Sequence, residues 1–215
     1  MRNIKPLILS FSLMLLICIV SFKRLGNKNI WEKFNFDFDI LFVCIYLTWM
    51  ILESKVSKEE TAKGNNIHDY GTCEIYAAGQ ALTFLSALWF NSIWIKPDLL
   101  HLAGFSLFLG GIFYRLWAVR TLGKYYSHIV REVTEHKIID TGPYKHIRHP
   151  AYAGMIIANM GITIYFFNRI TFFAFSLILF PAIILRIFIE EKTLFKIDGY
   201  SEFAMNRKRI LPLIW

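Results

Sequence analysis

Charge is what this chain has least of. Only 19% of its 215 residues are Asp, Glu, Lys or Arg, against about 25% in an average soluble domain, so an extensive hydrated surface is excluded. Cysteine is sparse too. Cys18, Cys44 and Cys73 lie in or beside apolar runs without paired spacing, which argues against a disulfide framework or zinc cluster and leaves them as small core or lipid-facing residues. No Gly-x-Gly-x-x-Gly follows a strand-like run, which sets aside the soluble dinucleotide-binding and soluble methyltransferase architectures. No Ser-His-Asp or cysteine-centred constellation is present, and His146 and His149, three apart on a turn signal without a third ligand, do not make a metal site. Acidic residues number 16 against 24 basic ones. Nucleic acid is not the implied partner, because the basic residues are interleaved with apolar runs in the manner of the positive-inside bias.

What fills the chain is apolar sequence: 55% of residues are hydrophobic and 17% aromatic. Several runs approach the roughly 20 residues a helix needs to cross a bilayer. The first, about Leu7 to Phe22, follows Arg2 and Lys5; with no small-x-small cleavage site after it, it reads as a transmembrane helix and not as a removable leader. The second covers about Ile40 to Leu52, with Trp31, Phe34, Phe36 and Phe38 suited to the headgroup level. Runs at Ile75 to Ile95 and Leu99 to Val119 flank the short turn Lys96-Pro97-Asp98, and Gly104, Gly110 and Gly111 in the later run allow close helix approach. Two more, Ala151 to Phe167 and Ile170 to Ile189, are separated by Asn168-Arg169, which implies a helical hairpin, and Pro181 should bend the last helix. The expected fold is an all-α, multi-pass membrane bundle of about five to six transmembrane helices. In it, 1–109 forms the N-terminal helices and 110–215 a functional region of the same membrane domain. Six spans leave Lys23, Arg24, Lys28, Lys33, Lys96 and Arg169 on one side and the other 18 of the 24 basic residues on the opposite, cytoplasmic side.

The polar chemistry gathers on that side. The stretch His136 to Tyr152 is rich in His, Arg and Tyr between apolar neighbours. Gly142-Pro143-Tyr144 is a turn signal that would present Tyr144 at a loop edge. Arg148-His149-Pro150-Ala151-Tyr152 straddles a helix start, with Pro150 in the first turn where its missing N–H costs nothing. Arg186 and Glu190 lie four apart on one helical face, with Glu191 beside them. Each has a plainer reading: Arg148 and His149 as anchors for lipid phosphates, Arg186 and Glu190 as a structural ion pair. Yet ionisable groups at membrane depth usually face a cavity or partner. The set as a whole suits S-adenosylmethionine, whose sulfonium favours aromatic faces and whose amino-acid end needs opposite charges. A reduced nicotinamide cofactor would want more basic residues around its phosphates, some of which this loop has.

From about Gly110 to Pro212 the sequence resembles the isoprenylcysteine carboxyl methyltransferase family, within the membrane methyltransferases that include phospholipid N-methyltransferases. The matching text is Ala118-x-x-x-Leu122-Gly123, His136-x-Ile138-Ile139-x-x-Gly142-Pro143-Tyr144, Arg148-His149-Pro150-x-Tyr152-x-Gly154, Glu190-Glu191-x-x-Leu194 and a tail ending in Pro212. The resemblance implies S-adenosylmethionine contacts from Arg131, His136, Lys137, Ile138, Ile139, Tyr144, His149, Pro150, Ala151, Tyr152 and Glu190. It also implies that Arg186 orients an acceptor carboxylate, with Glu190 beside the chemistry. It further implies a lipophilic acceptor entering from the bilayer, surrounding membrane lipids, no obligate protein partner, and a plasma-membrane location if the source is bacterial. An ionised carboxylate acceptor needs no general base near neutral pH. The alternatives are an N-, O- or S-methyltransferase of phospholipids or small molecules, a membrane reductase of related architecture using NADPH, and a non-enzymatic binding or transport protein. One departure stands out: the family's aromatic-Gly-x-x-Tyr-x-x-Tyr run is here the shorter Ile197-Asp198-Gly199-Tyr200-Ser201-Glu202-Phe203. The tail is expected to close over the site.

Overall fold

The computed structural model describes residues 13–20, 36–60, 71–90, 98–126, 138–212 and 215. Among these residues there are helices and short helical turns but no strand, and one isolated bridge pairs Ile147 with Lys208. The helices are α1 (13–20), α2 (Phe36–Glu60), α3 (Thr72–Phe90), α4 (Leu99–Leu122), α5 (Pro150–Tyr165), α6 (Arg169–Leu194) and the short α7 (Tyr200–Met205).

Local chemistry starts each helix where the sequence changes character. Asp98 caps α4, its carboxylate accepting from the His101 N–H at 3.0 Å, which satisfies one of the orphan donors of a first turn. Asn168 does the same for α6 through the Thr171 N–H at 2.8 Å. Pro150 stands at the first position of α5, as its lack of an N–H favours.

Two antiparallel helix pairs form the body. In the first, α4 and α5 approach backbone to backbone through two glycines on each helix, seven residues apart. A Cβ on Gly104 would lie 2.7 Å from Tyr165 N, one on Gly111 2.3 Å from Ala158 N, one on Gly154 2.6 Å from Arg115 N and one on Gly161 2.3 Å from Phe108 N. Of the three glycines expected to permit close approach, Gly110 does not: a Cβ there meets nothing within 4 Å. One residue on a helix is about 100° of rotation, so Gly110 points away while Gly111 points in.

In the second pair α6 runs along α3. Ser86 Oγ lies 3.0 Å from Thr171 Oγ1, Gly79 sits against the Leu179 backbone, and Thr72 Oγ1 accepts from Arg186 Nη1 at 3.2 Å. The break at Asn168-Arg169 is as the sequence implies, but this packing is made with α3. Pro181 follows a π-helical turn at Phe175–Leu179, where the Phe180 N–H donates to the Phe175 carbonyl. The helix thus carries a widened turn just before the proline.

The α2 helix joins the two pairs. Phe42 stacks on Phe108 of α4 at 4.0 Å between ring centroids, and Tyr46 stacks on Phe84 of α3 at 3.6 Å. A buried polar chain crosses the same place: Asn159 Nδ2 donates to Gln80 Oε1 at 3.0 Å, and Gln80 Nε2 donates to the Tyr46 hydroxyl at 3.1 Å. Between helices in an apolar medium such bonds contribute about 0.6 kcal/mol each.

The outer surface is apolar. Leu99, Leu100, Phe113, Trp117, Phe173 and Leu177 are each more than 45% exposed, on a scale soluble monomers do not show. Among the described residues α4 and α6 are long and apolar enough to cross a membrane. The other helices fall short for readable reasons: α5 has 16 residues, about 24 Å of rise, and α2 ends in the charged run from Glu53 to Glu60. The α4 and α6 helices and the apolar outer surface suit a bilayer by length and composition.

Candidate active site

At one end of the bundle the start of α5 meets the end of α6. Tyr152, in the first turn of α5, accepts at its hydroxyl from Arg186 Nε at 2.9 Å, and the Glu190 carboxylate lies close enough to act on the same phenol. The phenol therefore bonds Arg186 with Glu190 nearby. The plain ion-pair reading of those two residues misses this member, which the hairpin brings in from 34 positions away. Arg186 is 3% exposed and is further fixed by Thr72 of α3.

Glu191, next along α6, is a hub. Its carboxylate lies 2.9 Å from Arg148 Nη1, 3.2 Å from His149 Nε2 and 2.8 Å from Arg209 Nε. Three cationic or potentially cationic groups around one buried carboxylate compensate its desolvation. Arg148 and His149 are thus committed to the protein interior and are not anchors for lipid phosphates. Backbone bonds extend the clamp to the tail, from Arg148 N to Lys208 O at 2.8 Å and from His149 N to Arg209 O at 2.9 Å. The Arg209 guanidinium lies over the rings of Phe188 and Trp215. The tail closes against the Arg-His-Pro turn.

The turn at Gly142–Lys145 is one turn of 3-10 helix. Gly142 takes φ +56°, a left-handed conformation that favours glycine, with Thr121 Oγ1 3.1 Å from where a Cβ would stand. Tyr144 is not at a loop edge as the turn signal alone implies. It is 6% exposed, packed in a cluster with Ala118, Val119, Ala151, Tyr200 and Phe203, with Ile138 at its margin. Burial, followed by the neighbouring Tyr126 and the Glu190 carboxylate, pushes the Tyr144 phenol well above its ordinary pKa. Burial followed by Glu191 and Glu190 does the same to Tyr200. Both phenols stay protonated as hydrogen-bond donors across the physiological range.

The expected site residues divide as follows. Tyr144, His149, Pro150, Ala151, Tyr152, Arg186 and Glu190 converge at this end, and Ile138 joins them through the Tyr144 cluster. Ile139 follows Ile138 in the loop and is half-buried. Arg131, His136 and Lys137 lie outside the described residues. Reading the sequence missed three residues bonded together beside the site. Arg115 is a buried arginine in an otherwise apolar helix, a signal in itself. Glu53 and Tyr126 carry no signal of that kind, since their roles exist only through Arg115.

The arrangement suits a ligand that is part cation and part aromatic. Glu190 gives a carboxylate beside tyrosine faces, and the Tyr144 cluster gives a flat apolar wall. Among the described residues, the buried Tyr200 hydroxyl and Arg148 Nε have no hydrogen-bond partner, donors that a polar ligand would satisfy.

Comparison with known proteins accords with this geometry. Residues 103–196 match the isoprenylcysteine carboxyl methyltransferase (ICMT) family. A probable protein-S-isoprenylcysteine O-methyltransferase of Oryza sativa subsp. indica is 34% identical over 115 residues, which cover 52% of this chain and 60% of that protein. The protein-S-isoprenylcysteine O-methyltransferase of Schizosaccharomyces pombe is 31% identical over 108 residues, 48% of this chain and 46% of that one. The match thus spans about half the length of these curated relatives. The solved structure of the eukaryotic intramembrane Ras methyltransferase ICMT superposes with a TM-score of 0.59 at 19% identity, covering 93% of this chain and 74% of that one; it shares the fold. Residues 103–196, which hold most of the site, are thus similar to the isoprenylcysteine carboxyl methyltransferase family.

Proposed function

We propose that this protein transfers a methyl group from S-adenosylmethionine to a lipophilic acceptor, by analogy a prenylcysteine-like or lipid-like carboxylate. The site would lie on the cytoplasmic face of the membrane, with the cofactor reached from the cytosol and the acceptor from the bilayer. The observation that carries this reading is the Arg186–Tyr152–Glu190 arrangement at the seam of α5 and α6, inside the family-matched region.

When bound, S-adenosylmethionine supplies a methyl group activated by its sulfonium. The chain's part is to position. Tyr144, Ile138, Ile139 and the His149–Tyr152 turn would hold the cofactor, with Glu190 near its positive charge, and Arg131, His136 and Lys137 completing the loop. Arg186, oriented by Tyr152 and Thr72, would align the acceptor carboxylate by charge-assisted hydrogen bonds. Such alignment can account for roughly 7–11 kcal/mol of barrier lowering in a displacement of this kind. No proton has to be removed from a carboxylate that is already ionised.

The test is calorimetric titration of S-adenosylhomocysteine into the protein in detergent. Binding is expected in the wild type and lost in Tyr144→Ala and Glu190→Ala. Binding of NADPH in its place overturns the reading. Arg186→Ala should abolish turnover of a prenylcysteine acceptor while leaving cofactor affinity within a few-fold; an equal loss of cofactor affinity in a folded Arg186→Ala variant removes the role assigned to Arg186. Labelled-methyl transfer into a total lipid extract, with identification of the product, would name the acceptor.

A further inference from the structure

Arg115 is 2% exposed inside the apolar α4, and its donors point in three directions. Its Nε and Nη2 engage the two carboxylate oxygens of Glu53 on α2, Nη2 to Oε2 at 2.9 Å. Nη1 donates to the Ala151 carbonyl at 3.2 Å, and Nη2 to the Tyr126 hydroxyl at 3.2 Å. Glu53 is itself held by Trp49 Nε1 at 2.8 Å. Glu53 lies outside the region matched to the family.

A guanidinium is rigid and planar, so fixing two of its donors on a carboxylate fixes the direction of the others. Those others reach Ala151, in the middle of the His149–Tyr152 turn, and Tyr126, whose ring borders the Tyr144 cluster. We propose that Glu53 is a positioning residue for the cofactor-binding turn. From α2, and through Arg115, it sets where the first turn of α5 and the Tyr126 side chain stand. Glu53 touches neither cofactor nor acceptor in this account. The identity of the ligand rests on the methyltransferase reading above; the positioning of the turn does not.

Removing Glu53 alone strands a buried cation, and that variant can fail for reasons of folding. The informative protein is therefore Glu53→Gln combined with Arg115→Met, in which both charges are gone, with Glu53→Asp as the conservative comparison. Two quantities are read: S-adenosylhomocysteine affinity of the folded protein, and amide hydrogen exchange of residues 149–155 with no ligand present. The expected result for the double variant is a melting temperature near that of the wild type, affinity about tenfold weaker, as for other indirect ligand-orienting contacts, and faster exchange through the α5 start. Glu53→Asp should recover part of the affinity. A folded double variant with wild-type affinity and wild-type exchange overturns the proposal. If the wild type binds no S-adenosylhomocysteine, the methyltransferase reading falls, and exchange at 149–155 alone decides: faster exchange in the double variant supports positioning by Glu53, unchanged exchange overturns it.

Discussion

The two antiparallel helix pairs are built by different means. The α4–α5 pair is joined backbone to backbone, with four glycines admitting contacts no Cβ would permit. The α3–α6 pair is joined by side chains: a Ser86–Thr171 hydroxyl contact, a looser glycine at Gly79, and the Thr72–Arg186 bond. The first has almost no freedom to adjust, since backbone cannot change rotamer. The second can re-seat by turning a hydroxyl or an apolar side chain. The His149–Tyr152 turn is mounted on the first pair and Arg186 on the second, so under the proposed reading the cofactor side is fixed while the acceptor side retains room to vary.

The largest effect should come from cutting the seam between the pairs. Glu191→Gln leaves Arg148, His149 and Arg209 without their carboxylate, and the loss of stability in thermal unfolding should be about 3–5 kcal/mol. A loss under about 1 kcal/mol, the scale of an exposed pair, would mean that the hub is solvated and contributes little. Next is Gly111→Ala, whose Cβ would fall 2.3 Å from Ala158 N; overpacking of this kind costs about 1–3 kcal/mol. Gly79→Ala, with its nearest atom at 3.0 Å, should cost less than Gly111→Ala in the same unfolding assay. The reverse order would erase the distinction between the pairs. Ser86→Ala should cost about 0.6 kcal/mol. Gly110→Ala should be neutral or slightly stabilising, by up to about 1 kcal/mol, because alanine favours the helix and nothing opposes it; clear destabilisation there would reveal an outer contact for that face of α4.

Much of the frame was legible in the sequence because apolar runs and their breaks report helices directly. Pro150 at its helix start and the Asn168-Arg169 break both fell where their chemistry dictates. Convergence of the His149–Tyr152 turn with Arg186 and Glu190 was legible too, since a hairpin between two spans returns the chain to the same end. Three things were not. Which glycines face inward depends on helical phase against a partner, so Gly110 and Gly111 look alike in a string. The burial of Tyr144 depends on a tail that arrives more than 50 residues later. Glu53 and Arg115 lie 62 positions apart, and no period or spacing links them; the pairing exists only because α2 lies against α4.

The π-helical turn at Phe175–Leu179 has a consequence for α6 as a whole. A π turn amounts to one residue inserted into an α-helix, and one residue is about 100° of phase. The half of α6 that lies along Thr171 and Leu179 and the half that carries Arg186, Glu190 and Glu191 are therefore set at different clock positions. A regular α-helix presenting the same lipid-facing surface at its first half would aim Arg186 away from Tyr152. Deleting a single residue from 175–179 should leave helix content unchanged and swing the face that carries Arg186, Glu190 and Glu191 out of register, a failure of timing along the helix in which no chemical group has been lost.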